Sequence, residues 1–359
     1  MLKKTPINLF ETFSIDKNCW VRNSEKESFV SEIIFPVFKT AGIKEDFPKE
    51  RKEVIKLDTK SRYMDNAAAI PLNAEWRNQF PGQNGWWYLK LYYNSVNSDR
   101  LLGENIYFLC EELLKRKYID LFFFIRYADP KPHIRLRIHL CEKNMDGDLI
   151  SVWMQKMYAE LNISSCKIDV YEREIERYGG IELINYAEKF FYSDSLYVMQ
   201  LLKCQKNDKK NTKIVKAIMG ILSLALCTQI SVGNLENLLS EMVDKKKYRE
   251  IYHEQRKEIL RIIINTRHNI IEDNLEFIQI YHWRKRMFEQ YWREIVKQDD
   301  DLKLSNSRRN ILFSIIHMFC NRYFGDTEKE RMIMAILYHG IHDTCLLYTS
   351  PSPRDYAAS

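Results

Sequence analysis

The stretch IDLFFFIRYADPKPHIRLRIHL, residues 119–140, constrains the fold more than any other part of the chain. Its second half, HIRLRIHL (133–140), alternates strictly between apolar and polar side chains, which is the period-two pattern of a strand with two different faces. Its first half reads as a fully apolar strand that stops at Pro130. Between them, ADPKP supplies turn residues, so the spacing predicts an antiparallel hairpin. Alternation puts Ile134, Leu136, Ile138 and Leu140 on the core face and His133, Arg135, Arg137 and His139 on the other.

Two further strands are predicted at WWYLKLYYN (86–94) and CKIDVYERE (166–174), and the turn cluster QFPGQNG (79–85) leads into the first of them. Helical spacing appears at 99–117 and in DLISVWMQKMYAEL (148–161), and from Ile181 onward it dominates. There, Asp194-Ser195 is expected to start a helix and QDDD (298–301) to form a loop. The predicted fold class is therefore α+β: a mainly antiparallel sheet over about residues 86–178, with a segregated helical C-terminal half. Residues 1–75 read as a lead-in or linker segment, with a capping box at SEKE (24–27) and a polar stretch at 44–65. The last fifteen residues, 345–359, look like the in-frame translation of a sequencing-library adapter and are expected to break the helical pattern; this would put the end of the natural reading frame near Thr344.

The remaining composition mostly excludes. At 359 residues with 45% hydrophobic and 13% aromatic content, the chain has ample material for a buried core. The net charge of +6 is spread over interleaved acidic and basic residues, which argues against direct nucleic-acid binding. Eight scattered Cys without a CxxC, and no secretory-type N-terminus, predict a reduced, cytoplasmic protein. The apolar run at 214–230 is interrupted by Lys216 and falls short of the ~20 residues of a bilayer span, so a buried core helix is expected. Metal binding finds weak support, since His133 and His139 lie six apart on a strand and His339 and His342 are the other candidates. No HExxH, P-loop, GxGxxG or GxSxG occurs, which disfavours zinc, nucleotide and serine-hydrolase chemistry.

Chemistry has three candidate carriers. Arg135 and Arg137, two apart on one strand face, lie about 6.5–7 Å from each other and suit one carboxylate or oxyanion, although a solvated sheet face gives the same pattern. YEREIERYGG (171–180) alternates acids and bases up to a Gly-Gly turn, by itself a surface salt-bridge pattern. His317, in SIIHMFCNRYFG (314–325), is flanked by apolar residues on a helix, which suits a satisfied core histidine or, facing a cleft, a proton carrier.

Taken in order, WWYLKLYY, FFFIRYADPKPHIRLRI, YEREIERYGG, FFYSDS (190–195) and HMFCNR (317–322) resemble the C-terminal glutamate-elimination domain of lanthipeptide dehydratases, also called the thiopeptide-type bacteriocin biosynthesis domain. The resemblance covers about residues 76–340, and the domain it implies is placed at 76–344. It implies β-elimination of glutamate from glutamylated Ser or Thr of a ribosomally made precursor peptide, leaving dehydroalanine or dehydrobutyrine, with no metal or organic cofactor. The implied catalytic residues are Arg135, Arg137, Glu174, Arg177 and His317. Arg137 and Arg177, supported by Arg135, would bind the glutamyl carboxylates and the developing oxyanion; His317 would move the proton, and Glu174 would orient an Arg or the His. Lys131 and His139 stay outside this set. The implied partners are the precursor peptide and a separate glutamylation protein or domain that uses glutamyl-tRNA, and the resemblance is compatible with a homodimer. Two other readings stand beside elimination: pyridine-forming [4+2] cycloaddition of dehydroalanines, and an inactive fragment that serves as a peptide-binding scaffold.

Overall fold

The computed structural model describes residues 74–93, 98–141, 147–160, 163–204 and 213–349. The lead-in helix and polar stretch expected within residues 1–73 and the final ten residues, 350–359, lie outside the described residues. Six strands are present among them: β1 (Asn78–Gln79), β2 (Trp86–Tyr93), β3 (Ile119–Tyr127), β4 (His133–Leu140), β5 (Ile163–Asp169) and β6 (Tyr171–Glu172). The main sheet has the order β3-β4-β2-β5 with every neighbouring pair antiparallel. The expected hairpin is its β3-β4 pair, joined through a cis Asp129-Pro130 bond.

On β4 the alternation assigns the core face correctly: Ile134, Leu136 and Ile138 are fully buried and Leu140 nearly so. Cross-strand neighbours extend this face, with Leu89, Leu136 and Phe124 in one row and Leu91 beside Ile134. The fourth strand differs from expectation. It begins at Ile163 and ends at Asp169, and Tyr171–Glu172 leave the main sheet to pair with Asn78–Gln79. The Asp169 carboxylate accepts the Val170 amide at 2.8 Å, and a side-chain bond of this kind ends a ladder by taking its donor.

Nine helices of nine residues or more are described: α1 (Tyr107–Lys115), α2 (Gly147–Glu160), α3 (Ile181–Cys204), α4 (Lys213–Cys227), α5 (Val232–Ser240), α6 (Arg249–Arg267), α7 (Leu275–Asp300), α8 (Arg308–Phe324) and α9 (Thr327–Thr349). Seven of them follow the sheet, as expected. The chain enters this half through Gly179 and Gly180, at φ 102° and 121°. A Cβ on Gly179 would sit 2.6 Å from Leu183 Cδ1, so both conformation and space require glycine there. Helix α4 is buried along eleven residues, as a core helix should be, and no single described helix is long and apolar enough to cross a membrane. Helix α9 continues to Thr349, so the break in helical pattern comes after Cys345, past the apolar residues 346–348.

Two helix-boundary expectations are overturned. Asp194 and Ser195 start no helix; they lie inside α3 and are fully buried. These residue types compete with helix when their side chains turn back on the local backbone, but here the side chains are engaged elsewhere. Asp194 accepts Arg284 Nε at one oxygen and Arg322 Nη1 at the other, both at 2.7 Å, and Ser195 Oγ accepts the Phe124 amide at 3.3 Å. Likewise QDDD forms no loop: α7 runs to Asp300, and the buried Asp299 pairs with Arg308 Nε at 2.5 Å, at the start of α8.

These contacts fasten the helices to β3, an edge strand of the main sheet. Arg322 Nε donates to the Phe124 carbonyl at 2.9 Å, while Asn321 accepts the Arg126 amide at 2.9 Å and donates to the Arg126 carbonyl at 3.0 Å. The amides and carbonyls of Phe124 and Arg126 are thus bonded to side chains of α3 and α8, which closes this part of the edge. Replacing Asp194 with Ala leaves two buried guanidinium groups without their shared carboxylate; denaturant unfolding should show a loss of about 3–5 kcal/mol.

Candidate active site

The second face of the sheet is organised in cross-strand rows. Arg137 lies between Tyr88 on β2 and Phe123 on β3, Arg135 between Lys90 and Ile125, and His133 between Tyr92 and Tyr127. The Arg137 guanidinium carbon sits 4.6 Å from the Tyr88 ring centre, 5.0 Å from that of Tyr171 and 5.4 Å from that of Phe123. Three rings around one cation offset part of the cost of removing it from water. Arg137 is only 9% exposed, and its buried Nε has no hydrogen-bond partner. Burial pushes the phenols of Tyr88 and Tyr171 up, so both stand beside Arg137 as neutral hydroxyls.

Arg135 stacks on Tyr127 at 3.4 Å and donates from Nε to His133 Nε2 at 3.3 Å. The other ring nitrogen of His133 bonds the Lys131 carbonyl at 2.8 Å, so the ring carries its proton on Nδ1. Burial holds the His133 pKa below the ordinary imidazole value, and the neighbouring cations act the same way. Lys131 thus contributes its backbone, its side chain being exposed.

The helices and the segment after β6 complete the enclosure. Glu174 precedes a short 3-10 turn, Glu176–Tyr178, that carries Arg177, and Arg177 Nη1 donates to both Glu174 carboxylate oxygens at 3.0 and 3.1 Å. Tyr291 donates to the Tyr178 carbonyl at 2.6 Å and tethers this turn to α7. His317 arrives on α8, one helical turn before the Asn321–Arg322 fastening, and its Nδ1 lies 2.8 Å from Glu330 Oε2 on α9. With 36% of its side chain exposed, it is no sealed core histidine.

Arg135, Arg137, Glu174, Arg177 and His317 all line one cavity of about 610 Å³. One strand, the segment after β6 with its turn, and a helix supply the five. Arg77 and Arg173 line it too, but each is paired with an acid: Arg77 with Glu176, and Arg173 with the buried Glu188 at 2.8 and 2.9 Å. Arg135 and Arg137 rest on aromatic rings instead of carboxylates, which leaves their charge available to an anion. Such a cavity can hold a small dicarboxylate and stabilise an oxyanion beside a base. Among the described residues no group of three or more His, Cys, Asp or Glu converges to hold a metal ion.

Sequence reasoning missed the rings around Arg137, although the pairing of β2 and β3 with β4 would have revealed Tyr88 and Phe123. It also missed Glu330, for which no spacing signal existed because it lies on a different helix from His317. His139 stays outside the cavity: its Nδ1 lies 2.8 Å from an Asp120 carboxylate oxygen and its Nε2 3.0 Å from the Asn84 carbonyl.

The sheet with its segregated helices, closing on a cationic cavity, defines an α+β domain of the kind found in lantibiotic dehydratases. The chain belongs to the family described as the C-terminal region of lantibiotic biosynthesis dehydratases, whose model matches residues 86–341. It is 26% identical to the nisin biosynthesis protein NisB of Lactococcus lactis subsp. lactis, over 93% of this chain and 36% of NisB. To the subtilin biosynthesis protein SpaB of Bacillus subtilis it is 29% identical, over 79% of this chain and 28% of SpaB. The chain thus spans about a third of the length of the curated relatives it matches. In fold it is similar to the tRNA-dependent lantibiotic dehydratase MibB from Microbispora sp. 107891, with TM-score 0.63, 17% identity, and coverage of 74% of this chain and 29% of that one. The pyridine synthase TbtD from thiomuracin biosynthesis shares the fold at TM-score 0.51 and 11% identity, over 72% of this chain and 98% of that one.

His139 yields a pH test of the scaffold beside this cavity. Burial is the largest single influence and works against the charged form, but the bond to Asp120, the Asp120 charge and the Asn84 carbonyl together outweigh it and the pKa is raised. The interaction therefore contributes fully below the unfolded imidazole value of about 6.5 and is lost as pH rises through the folded value. Thermal unfolding should show a destabilisation by His139→Gln at pH 5.5–6 that shrinks progressively towards pH 8–9.

Proposed function

We propose that this cavity catalyses β-elimination of glutamate from glutamylated Ser or Thr residues of a precursor peptide, giving dehydroalanine or dehydrobutyrine. The observation that carries this reading is the convergence of Arg135, Arg137, Glu174, Arg177 and His317 on one cavity, in a chain of the lantibiotic dehydratase family.

The chemistry matches these residue types. His317 takes the proton from Cα, the electrons of that C–H bond form the Cα=Cβ bond, and the Cβ–O bond breaks with its pair leaving on the glutamate carboxylate. Charge develops first on the peptide carbonyl next to Cα and then on the leaving carboxylate. Arg137, desolvated among its rings and with an unbonded Nε, suits the developing oxyanion. Arg177 binds a glutamyl carboxylate, held in place by Glu174, and Arg135 supports from the adjacent row. A separate protein or domain that transfers glutamate from glutamyl-tRNA supplies the substrate. Cycloaddition of dehydroalanines expels no glutamate and gives the cations around the cavity less to do.

The test supplies a synthetic peptide carrying a glutamylated Ser and follows it by mass spectrometry. The expected product has lost glutamate and is one water lighter than the unmodified peptide. Arg137→Ala should slow it by about 10²–10³-fold, and His317→Ala by about 10²–10⁴-fold. An adduct left intact by soluble, folded wild-type protein would overturn the reading.

A further inference from the structure

His317 reaches the cavity from α8, but the carboxylate that holds it comes from the first turns of the following helix. Glu330 Oε2 lies 2.8 Å from His317 Nδ1, and Glu330 is 20% exposed. Glu174, the acid expected to orient an Arg or the His, has both oxygens on Arg177. The imidazole stands in a wall shared by two cavities: the one lined by the arginines, and a second of about 440 Å³ that Glu330 lines and Arg135, Arg137 and Arg177 do not. The acid therefore grips the ring from outside the cavity that Arg135 and Arg137 line, although its charge still reaches Arg177.

We infer that Glu330 is the positioning residue for His317, and that the two acids divide the work, Glu174 serving Arg177 and Glu330 serving the imidazole. A carboxylate acts only as an acceptor, so the contact places the proton of the neutral ring on Nδ1. Nε2 is then left with its lone pair. On the elimination reading, on which this step rests, Nε2 is the atom that receives the Cα proton. The imidazolium formed keeps a charge-assisted bond to Glu330. Without that acceptor the ring is free to take the other tautomer or to turn about χ2, and either change withdraws the base without disturbing the cationic wall.

The full chain carrying Glu330→Gln, with Glu330→Asp as the conservative variant, tests this in two ways. In the glutamylated-peptide assay Glu330→Gln should lower kcat by roughly 10²-fold with KM nearly unchanged, because the arginines that bind substrate are untouched, and Glu330→Asp should recover part of the loss. Independently of any turnover, the ¹⁵N resonances of the His317 ring should report the Nδ1–H tautomer in the wild type and a shift away from it in Glu330→Gln. Identical ring resonances in the two proteins, or a loss confined to KM, would overturn the assignment. Wild-type protein that eliminates glutamate from no peptide would sink the elimination reading, while the ring resonances would still decide the role of Glu330.

Discussion

The rest of the molecule depends on one buried carboxylate. Asp194 stands between two guanidinium groups in a region with almost no solvent exposure, and each partner does a second task. Arg284 also donates to the Gly220 carbonyl and to Ser223 Oγ, tying α7 to α4, while Arg322 donates to the Phe124 carbonyl on β3. Four helices, α3, α4, α7 and α8, and an edge strand are thus joined through a single acid. Replacing such a centre with apolar groups of matching volume is often no loss in stability, whereas removing one member leaves uncompensated charge. Here it ties the helices to the sheet through geometrically defined bonds.

That attachment builds the cavity. The same stretch of α8 carries His317 on one turn and the Asn321–Arg322 fastening on the next, so the strand that supplies one wall also positions the imidazole. The sheet contributes a row of cations whose counter-charges are aromatic faces. Desolvated cations held by rings cost stability compared with aliphatic residues, and in return they meet an incoming anion with little competition from resident carboxylates. Arg173 with Glu188 shows the alternative in the same cavity: a buried guanidinium held by an acid and so not open to a bound anion.

How much of this was legible beforehand follows the range of each interaction. The hairpin and its two faces were readable because period-two alternation is local, as was the division into sheet and helices. The fourth strand was misread beyond Asp169, because a single side-chain-to-amide bond ends it. Asp194-Ser195 and QDDD looked like helix boundaries because isolated propensity favours that; what overrides it are Arg284 and Arg322, 90 and 128 residues away, and Arg308 on the next helix. For the site, alternation offered Arg135 and Arg137 only as a pair on one face. Their association with Glu174, Arg177 and His317 came from the resemblance of ordered motifs, and nothing in the residues alone reached Glu330.

The fastening of β3 has a consequence for the order in which the chain assembles. Phe124 and its partner Arg322 are 198 residues apart, and Asn321 lies 195 residues beyond Arg126. At about 5–20 residues per second, some 10–40 s of synthesis separate the emergence of the strand from that of the side chains that close its edge. For most of that interval Ser195, 71 residues beyond Phe124, is the one of these side chains already made, and the Phe124 carbonyl and the Arg126 backbone still wait for theirs. The nascent domain therefore keeps part of an unpaired edge until α8 leaves the ribosome, and the cavity wall is finished only when its last latch arrives.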